Sequence, residues 1–512
     1  MIKVPLLSTL NLGEKFKVWR QYQNYAVHQI VNEEKEFLVQ VQPTGSGKSL
    51  CYVAAAHILP GRTLILTSFK GLQDQLQKDF GLYILMGRGS YKCRNPKSPG
   101  TCEDGVCRSG GFCPYSTENA KGYGCRYLQA IRDSNKSKIV VTNYAFWIAN
   151  RHKRGKLGDF DLLVCDEAHI IHNYVLDHIS VTIKPKDTKG IVDWPSPGKD
   201  FDYYIEWMKR FYKVVAHRVK DIKLLGKVAK NSSLIKLQHR LVNIPIINKS
   251  NWVIEHTGDR IKSGMIRPTD IIQKYVFNSI PRTLLTSATI DRHSCEQMGI
   301  VESNSTYTEF QSNFPVARRP IYSLNTVRVD HRMSLEDQRQ WLRVIDKIIS
   351  DRLGLRGIIH TISYDRCKYV MEHSEYREFM MTHTSKNLRK VVEEFKTCTE
   401  KFILVSPSVV TGWDFPYDEC RYQVVGKIPF PNLRSTIDKA RKEVDPEYGM
   451  LLALQNLIQI CGRGMRHADD SCETFITDGH ARWFLGQMSK YAPNWFKAAV
   501  AKVDSVPEPM NF

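Results

Sequence analysis

The chain has 512 residues, 42% of them hydrophobic and 25% charged, a composition that suits a globular protein with core material for roughly three to four domains. No apolar run approaches the length of a membrane span and residues 1–5 lack the core of an export signal, so the expected location is cytoplasmic, or nuclear in a eukaryote, and not secreted. Lysine and arginine number 73 against 53 aspartate and glutamate, and the formal charge of +20 points to a polyanionic partner, nucleic acid above all.

Near the start, Arg20 and Gln23 form a pair suited to reading the edge of an adenine. A short strand pattern at 37–41 then leads through Gln42-Pro43-Thr44-Gly45-Ser46-Gly47-Lys48-Ser49 into a helix pattern from residue 50. Strand, loop and helix in that order make a phosphate-holding loop. Thr44, Gly45, Ser46 and Gly47 turn backbone N–H groups toward a triphosphate, Lys48 reaches the outer phosphates, and Ser49 ligates magnesium at the helix N-terminus. The usual pattern begins with glycine, and here that place is Gln42. A second strand at 62–70 and a helix at 72–76 continue the alternation, which predicts a parallel sheet with ligands at its carboxyl ends.

Five of the thirteen cysteines follow: Cys93, Cys102, Cys107, Cys113 and Cys125. Without an export signal such clustering favours metal binding or catalysis over disulfides. Glycine and proline fill the gaps, so a bound metal centre would supply the core that this stretch lacks. The spacing contains no C-x₂-C pair and matches neither most zinc ribbons nor ferredoxin runs, so it does not name the metal.

Strand patterns return at 138–144 and 161–165, and the second delivers Asp166-Glu167-Ala168-His169. Asp166 at the tip of an apolar strand would hold magnesium through water, and Glu167 would orient and deprotonate the attacking water. From about 175 to 274 the alternation stops, and residues 207–240 carry ten Lys/Arg against Asp221 alone, which reads as a helical insertion with a nucleic-acid contact. The strand at 282–289 ends in Ser287 and Thr289, hydroxyls placed to bond Asp166 and sense the γ-phosphate.

After a linker around Pro315 and 318–320, a second α/β series has strands at 357–360, 402–405, 422–425 and 474–477. The loop at 406–416, with Gly412 and Asp414, is placed to touch both ATP and a nucleic-acid backbone. No second phosphate loop follows. A helical run from 451 instead ends in 460–466, where Arg463 and Arg466 share one face and suit a transferring phosphate. No cluster of acids or histidines suggests a nuclease.

In this order the motifs resemble the superfamily two helicases, and in detail the XPD/DinG branch with an iron-sulfur cluster. The resemblance is carried by residues 43–49 (motif I), 166–169 (the DEAH box), Ser287-Ala288-Thr289 (motif III) and Gln459-x-x-Gly462-Arg463-x-x-Arg466 (motif VI). It also rests on a cysteine stretch opened by residues 87–93 and closed before a strand similar to the family's. It implies an α/β fold of two RecA-like parallel-sheet domains of the P-loop NTPase type, with a cysteine-rich metal domain and a helical arch-like insertion in the first. The expected segments are 1–86, 138–174 and 275–320 for RecA-like domain 1 with its linker, 87–137 for the cysteine domain, 175–274 for the insertion and 321–512 for RecA-like domain 2.

By the same resemblance the catalytic residues are Lys48, Asp166, Glu167, Gln459, Arg463 and Arg466, with His169, Ser287 and Thr289 coupling hydrolysis to motion. Cys93, Cys113 and Cys125 would be cluster ligands, with Cys107 chosen over Cys102 as the fourth. At motif V, residues 411–414 read Thr-Gly-Trp-Asp where relatives carry Glu-Gly-x-Asp. The implied activity is ATP-dependent 5′ to 3′ translocation on single-stranded DNA with duplex unwinding, by a monomer using ATP, Mg²⁺ and a 4Fe–4S cluster. Tailed duplex DNA and RNA–DNA hybrid are the further expected partners, and a membrane is not. Two alternatives stand beside it: a strand translocase that remodels protein–DNA complexes or hybrids, and a zinc-containing nucleic-acid-binding ATP switch.

Overall fold

The computed structural model describes residues 1–510 apart from 69, 97–99, 110, 117–123, 151–156, 226–231, 278–279, 401, 408–414 and 466–469. In the first half, β1 (Phe37–Val41), β2 (Thr63–Thr67), β3 (Tyr83–Ile84), β4 (Ile139–Asn143) and β5 (Leu162–Asp166) precede the insertion. The insertion holds β6 (Val181–Ile183), β7 (Trp252–His256) and β8 (Ile261–Met265), after which come β9 (Arg282–Ser287) and β10 (Ser305–Glu309). The second half contributes β11 (Ile321–Leu324), β12 (Gly357–His360), β13 (Met380–Thr382), β14 (Ile403–Ser406), β15 (Tyr422–Val425), β16 (Glu473–Ile476) and β17 (Val500–Val503).

These strands build two seven-stranded sheets, ordered β10-β1-β9-β5-β2-β4-β3 and β13-β14-β12-β15-β16-β11-β17, in which every named pairing is parallel. Helices cover both faces, so β1, β2 and β5 are buried at every position, and their apolar runs carry no alternation. The chain is thus two RecA-like α/β domains. Among the described residues no helix is long and apolar enough to cross a membrane.

The first sheet's order positions the nucleotide chemistry. β1, β9 and β5 are neighbours, with Val41 opposite Ser287 and Asp166 opposite Thr286. The three motifs that follow these strands therefore emerge side by side at one carboxyl edge, although more than two hundred residues separate the first from the third along the chain.

Local signals fix the helices of the second domain. Leu335–Asp351 starts at a capping box in which Ser334 Oγ accepts from Asp337 N (3.0 Å) and Asp337 Oδ2 accepts from Ser334 N (3.1 Å). Trp341, Leu342, Ile345, Ile348 and Ile349 fall on its buried stripe. Just beyond it, Arg352 and Glu473 form a fully buried two-pronged ion pair at 2.6 and 2.9 Å, and Arg352 Nη2 also donates to Pro507 O (3.2 Å). The tail is thereby tied to the start of β16.

The insertion departs from the helical expectation. Helices Phe201–Leu224 and Ser232–Arg240 are present, but β6, β8 and β7 add an antiparallel sheet. Trp207, Met208, Phe211, Val215 and Val219 bury one stripe of the long helix in the first domain's core, which leaves lysines and arginines to the other faces. The insertion touches both flanking units. Lys236 pairs with Asp104 of the cysteine stretch at 2.9 Å, while Glu255 Oε1 accepts from Thr436 N (3.0 Å) and Met265 O accepts from Arg441 Nε (3.1 Å) in the second domain.

Candidate ATP site and the motifs that meet it

Gly45 and Gly47 have φ of +74° and +83°, the left-handed region that glycine enters without strain, and Gly47 caps the helix Lys48–Ile58. A side chain at Gly47 is excluded twice over, since its Cβ would lie 2.4 Å from Gln23 Nε2. Gln23 Nε2 donates to Ser46 O (2.9 Å) and Gln23 Oε1 accepts from Arg20 N (2.9 Å), while Arg20 Nη1 reaches Gly45 O at 3.5 Å. The expected adenine-reading pair is thus gathered against the phosphate loop. Lys48 Nζ points back to Gln42 O (3.5 Å) and Pro43 O (3.4 Å).

Gln42, the residue in place of glycine, is buried and has a defined job. Its N–H donates to Ser287 O (2.9 Å), and its Nε2 donates to Gln40 Oε1 (2.8 Å), whose own Nε2 donates to Ala26 O (3.0 Å). A buried amide relay therefore joins the loop to the helix Gln23–Asn32, where a glycine would leave Gln40 Oε1 without this donor.

Asp166 is buried at the end of β5, with Tyr52 Oη donating to Oδ2 (3.1 Å) and Glu167 N donating to Oδ1 (3.0 Å). Burial, and next the adjacent Glu167 carboxylate, push its pKa up to about 7 against the pull of Lys48. Two adjacent carboxylates in a desolvated corner form a donor set that a divalent cation fits, because the cation relieves their mutual repulsion. Glu167 takes φ +51°, uncommon outside glycine, and its carboxylate meets Gln459 of the second domain.

His169 connects this corner to motif III. Its Nδ1 lies 3.4 Å from Glu167 Oε2 and 2.8 Å from Ser287 Oγ, and Ser287 Oγ in turn accepts from Thr289 N (3.1 Å). Burial lowers the pKa of His169, so the neutral ring makes a hydrogen bond rather than an ion pair. The hydroxyl of Ser287 thus meets His169, not Asp166 as the sequence suggested, because β9 leaves its last side chain facing the turn after β5.

From the second domain, the helix Tyr448–Cys461 aims its end into the same place. Gln459 Nε2 donates to Glu167 Oε2 (3.4 Å). Gly462 comes so close to the loop that a Cβ there would lie 2.3 Å from Thr44 Oγ1, and a Cβ on Gly45 would lie 2.5 Å from Met465 O. Arg463 is in this turn and buried. Arg466, Gly412 and Asp414 lie outside the described residues. One turn earlier, Gln455 Nε2 reaches Asp291 Oδ2 (3.4 Å) and Ser294 Oγ (3.3 Å) of the first domain. Sequence reasoning missed Tyr52, Asp291 and Gln455, although Gln455 precedes Gln459 by one helical turn and so shares its face.

The five cysteines of residues 93–125 are gathered around short turns. Cys102 Sγ is 3.8 Å from Cys125 Sγ, a Cβ on Gly105 would sit 3.4 Å from Cys107 Sγ and 3.8 Å from Cys93 Sγ, and Asn95 Nδ2 donates to Cys113 Sγ at 3.6 Å. Among the described residues, no three His, Cys, Asp or Glu side chains converge as for a single metal ion. Cys102, which sequence reasoning left surplus, lies inside this group.

Residues 16–186 match the family model for the type III restriction enzyme res subunit, and residues 355–499 match that for the helicase C-terminal domain. An XPD helicase structure aligns with 94% of this chain and 98% of its own at a TM-score of 0.61 and 14% identity. The chain has the XPD helicase fold. Xpd4 of S. tokodaii aligns with 94% of this chain and all of its own (100%) at a TM-score of 0.57 and 14% identity. A probable ATP-dependent helicase of Methanocaldococcus jannaschii is 22% identical over 200 residues, which is 31% of this chain and 29% of the relative. The match thus spans less than a third of that relative's length. Within the XPD fold, the two family matches divide between the two domains, with the phosphate loop and DEAH box in one and motif VI in the other.

Proposed function

We propose that the chain is an ATP-dependent DNA helicase that couples hydrolysis to 5′ to 3′ movement along a single strand and to duplex unwinding. The observation that carries this reading is the hydrogen bond from Gln459 to Glu167, made across the two domains while Gly462 lies against Thr44. A nucleotide held on the loop would be completed by the second domain, so each cycle of hydrolysis changes the contact between domains.

In that cycle the loop amides and Lys48 hold the phosphates, and Ser49 and Asp166 would hold Mg²⁺, which neutralises phosphate charge when bound. Glu167, oriented by Gln459 and His169, takes the proton of the attacking water. Arg463 and Arg466 stabilise the charge that develops on the transferring group, and His169, Ser287 and Thr289 pass the state of the site to β9. Gly412 and Asp414 are assigned to the nucleotide side of the second domain. Lys48→Ala is expected to abolish ATP turnover while leaving single-strand binding intact, measured by phosphate release and fluorescence anisotropy. Full turnover by that variant would overturn the site. Strand displacement on 5′-tailed and 3′-tailed duplexes and on RNA–DNA hybrids checks the polarity, and a strict preference for 3′ tails would overturn it.

An all-thiol set of neighbouring free cysteines is the donor chemistry that a thiolate-held 4Fe–4S cluster takes. Cys93, Cys107, Cys113 and Cys125 would hold it, although burial pushes the Cys107 thiol up against the lowering pull of the Arg88 guanidinium. When bound, the cluster supplies a core to a stretch poor in large apolar groups, beside the insertion that would act with it as a wedge. Anaerobically purified protein is expected to contain about four iron and four acid-labile sulfide per chain. Zinc without sulfide would overturn the assignment.

A further inference from the structure

The helix Tyr448–Cys461 of the second domain meets the first domain at two points one turn apart. Gln459 reaches Glu167, and four residues earlier Gln455 Nε2 lies 3.4 Å from Asp291 Oδ2 and 3.3 Å from Ser294 Oγ. Residues four apart share a helical face, so the two amides project toward the first domain together. Gln455 is 7% exposed and Asp291 5%, so this polar contact is made away from water.

Inside the first domain the two points are joined. Glu167 lies beside His169, His169 Nδ1 meets Ser287 Oγ (2.8 Å), and Ser287 Oγ accepts from Thr289 N (3.1 Å). Two residues on, Asp291 caps the helix Arg292–Gln297, with Oδ1 accepting from Ser294 N (2.8 Å) and Oδ2 from Ser294 Oγ (2.8 Å). Between Ser287 and Thr289, Ala288 is buried in the apolar cluster that includes Leu451, Leu454 and Ile458 of the second domain's helix. The stretch 287–291 thus spans the two contacts.

Burial raises the Asp291 pKa, against the lowering pull of Ser294, His293 and Gln455. Among the donors to this carboxylate, Gln455 is the one that comes from the second domain. Both interdomain contacts are 3.4 Å, longer than the usual N–H···O spacing of about 2.9–3.0 Å, so a slight further approach of the helix shortens the two together. His293 Nε2, 3.0 Å from Asp445 Oδ2, gives the same short helix another tie to the second domain.

We propose that Gln455 and Asp291 are a positioning pair, whose bond sets the register of the motif VI helix against motif III so that Gln459 reaches Glu167 and Arg463 reaches the loop together. Neither residue belongs to the phosphate loop or the DEAH box, and the pair acts on turnover through the groups it places. The assignment rests on the reading of the chain as a strand-moving ATPase, and it names the contact through which turnover answers to motif III.

ATP turnover in the presence of a single-stranded oligonucleotide tests it, with far-ultraviolet circular dichroism to show that each variant is folded. Gln455→Leu is expected to lower kcat about ten- to hundredfold, the worth of a hydrogen bond to a buried carboxylate. Gln455→Glu sets a second carboxylate against Asp291 and is expected to fall at least as far. Adding Asp291→Asn to Gln455→Glu exchanges amide and carboxylate across the junction and keeps the helix cap through Oδ1. The exchange is expected to bring kcat back to within about fivefold of wild type, a non-additive gain that residues packing only within their own domains would not show. Turnover by folded Gln455→Leu within about twofold of wild type, or no recovery on exchange, overturns the pair. The helicase reading then still stands if wild type hydrolyses ATP and Lys48→Ala does not. If wild type hydrolyses no ATP, both fall.

Discussion

Glu167→Gln is expected to lower ATP turnover by about 10²- to 10⁴-fold while nucleotide affinity is held or improved. Glutamine keeps the size of the side chain and an amide oxygen to accept from Gln459, but it takes no proton from water. The same change removes the second largest cause that raises the Asp166 pKa, so Asp166 stays ionised to lower pH and holds magnesium at least as well. Fluorescent-nucleotide titration and single-turnover hydrolysis separate the two effects. Turnover within about tenfold of wild type would show that another group takes the proton.

Arg463→Ala is expected to cost about 10³- to 10⁵-fold in kcat, with a far smaller change in nucleotide affinity. Arg463 follows Gly462, which lies on Thr44 of the loop, and its own side chain is buried at the junction of the domains. A guanidinium there acts on charge that appears only as the phosphoryl group transfers, so the loss falls on kcat. Arg463→Lys should restore little, because an ammonium lacks the planar fork. Near-normal kcat in the alanine variant would move the transition-state role to another residue.

The nucleotide half-sites were legible because each is local. Residues 42–49 and 166–169 need only a strand, a turn and the right side chains at fixed offsets, and those offsets are visible in the chain. Gln42 was legible only as a departure, since its partner Gln40 lies under the first helix. The insertion's sheet was missed even though Gly258 and Asp259 mark a turn between β7 and β8, because the basic residues of 207–240 dominated the pattern. β10, β11 and β17 escaped notice for a different reason: they are short, and β10 reads Ser-Thr-Tyr-Thr-Glu, with little apolar signal of its own. Each becomes a strand through its neighbours, as β17 does against β11.

The sequence by itself supplied the groups proposed to touch a phosphate, a divalent cation and an attacking water, and it determined that a parallel sheet would present residues 42–49 and 166–169 at a carboxyl edge. Those features follow from backbone freedom at glycine, from apolar strands and from charge type, all of which are properties of neighbouring residues. Only the tertiary structure decided that β9 lies between β1 and β5, that Ser287 meets His169 and that Gln459 meets Glu167. These are meetings across long separations in the chain. They are set by how buried sheets pair and pack, which no spacing along the chain encodes.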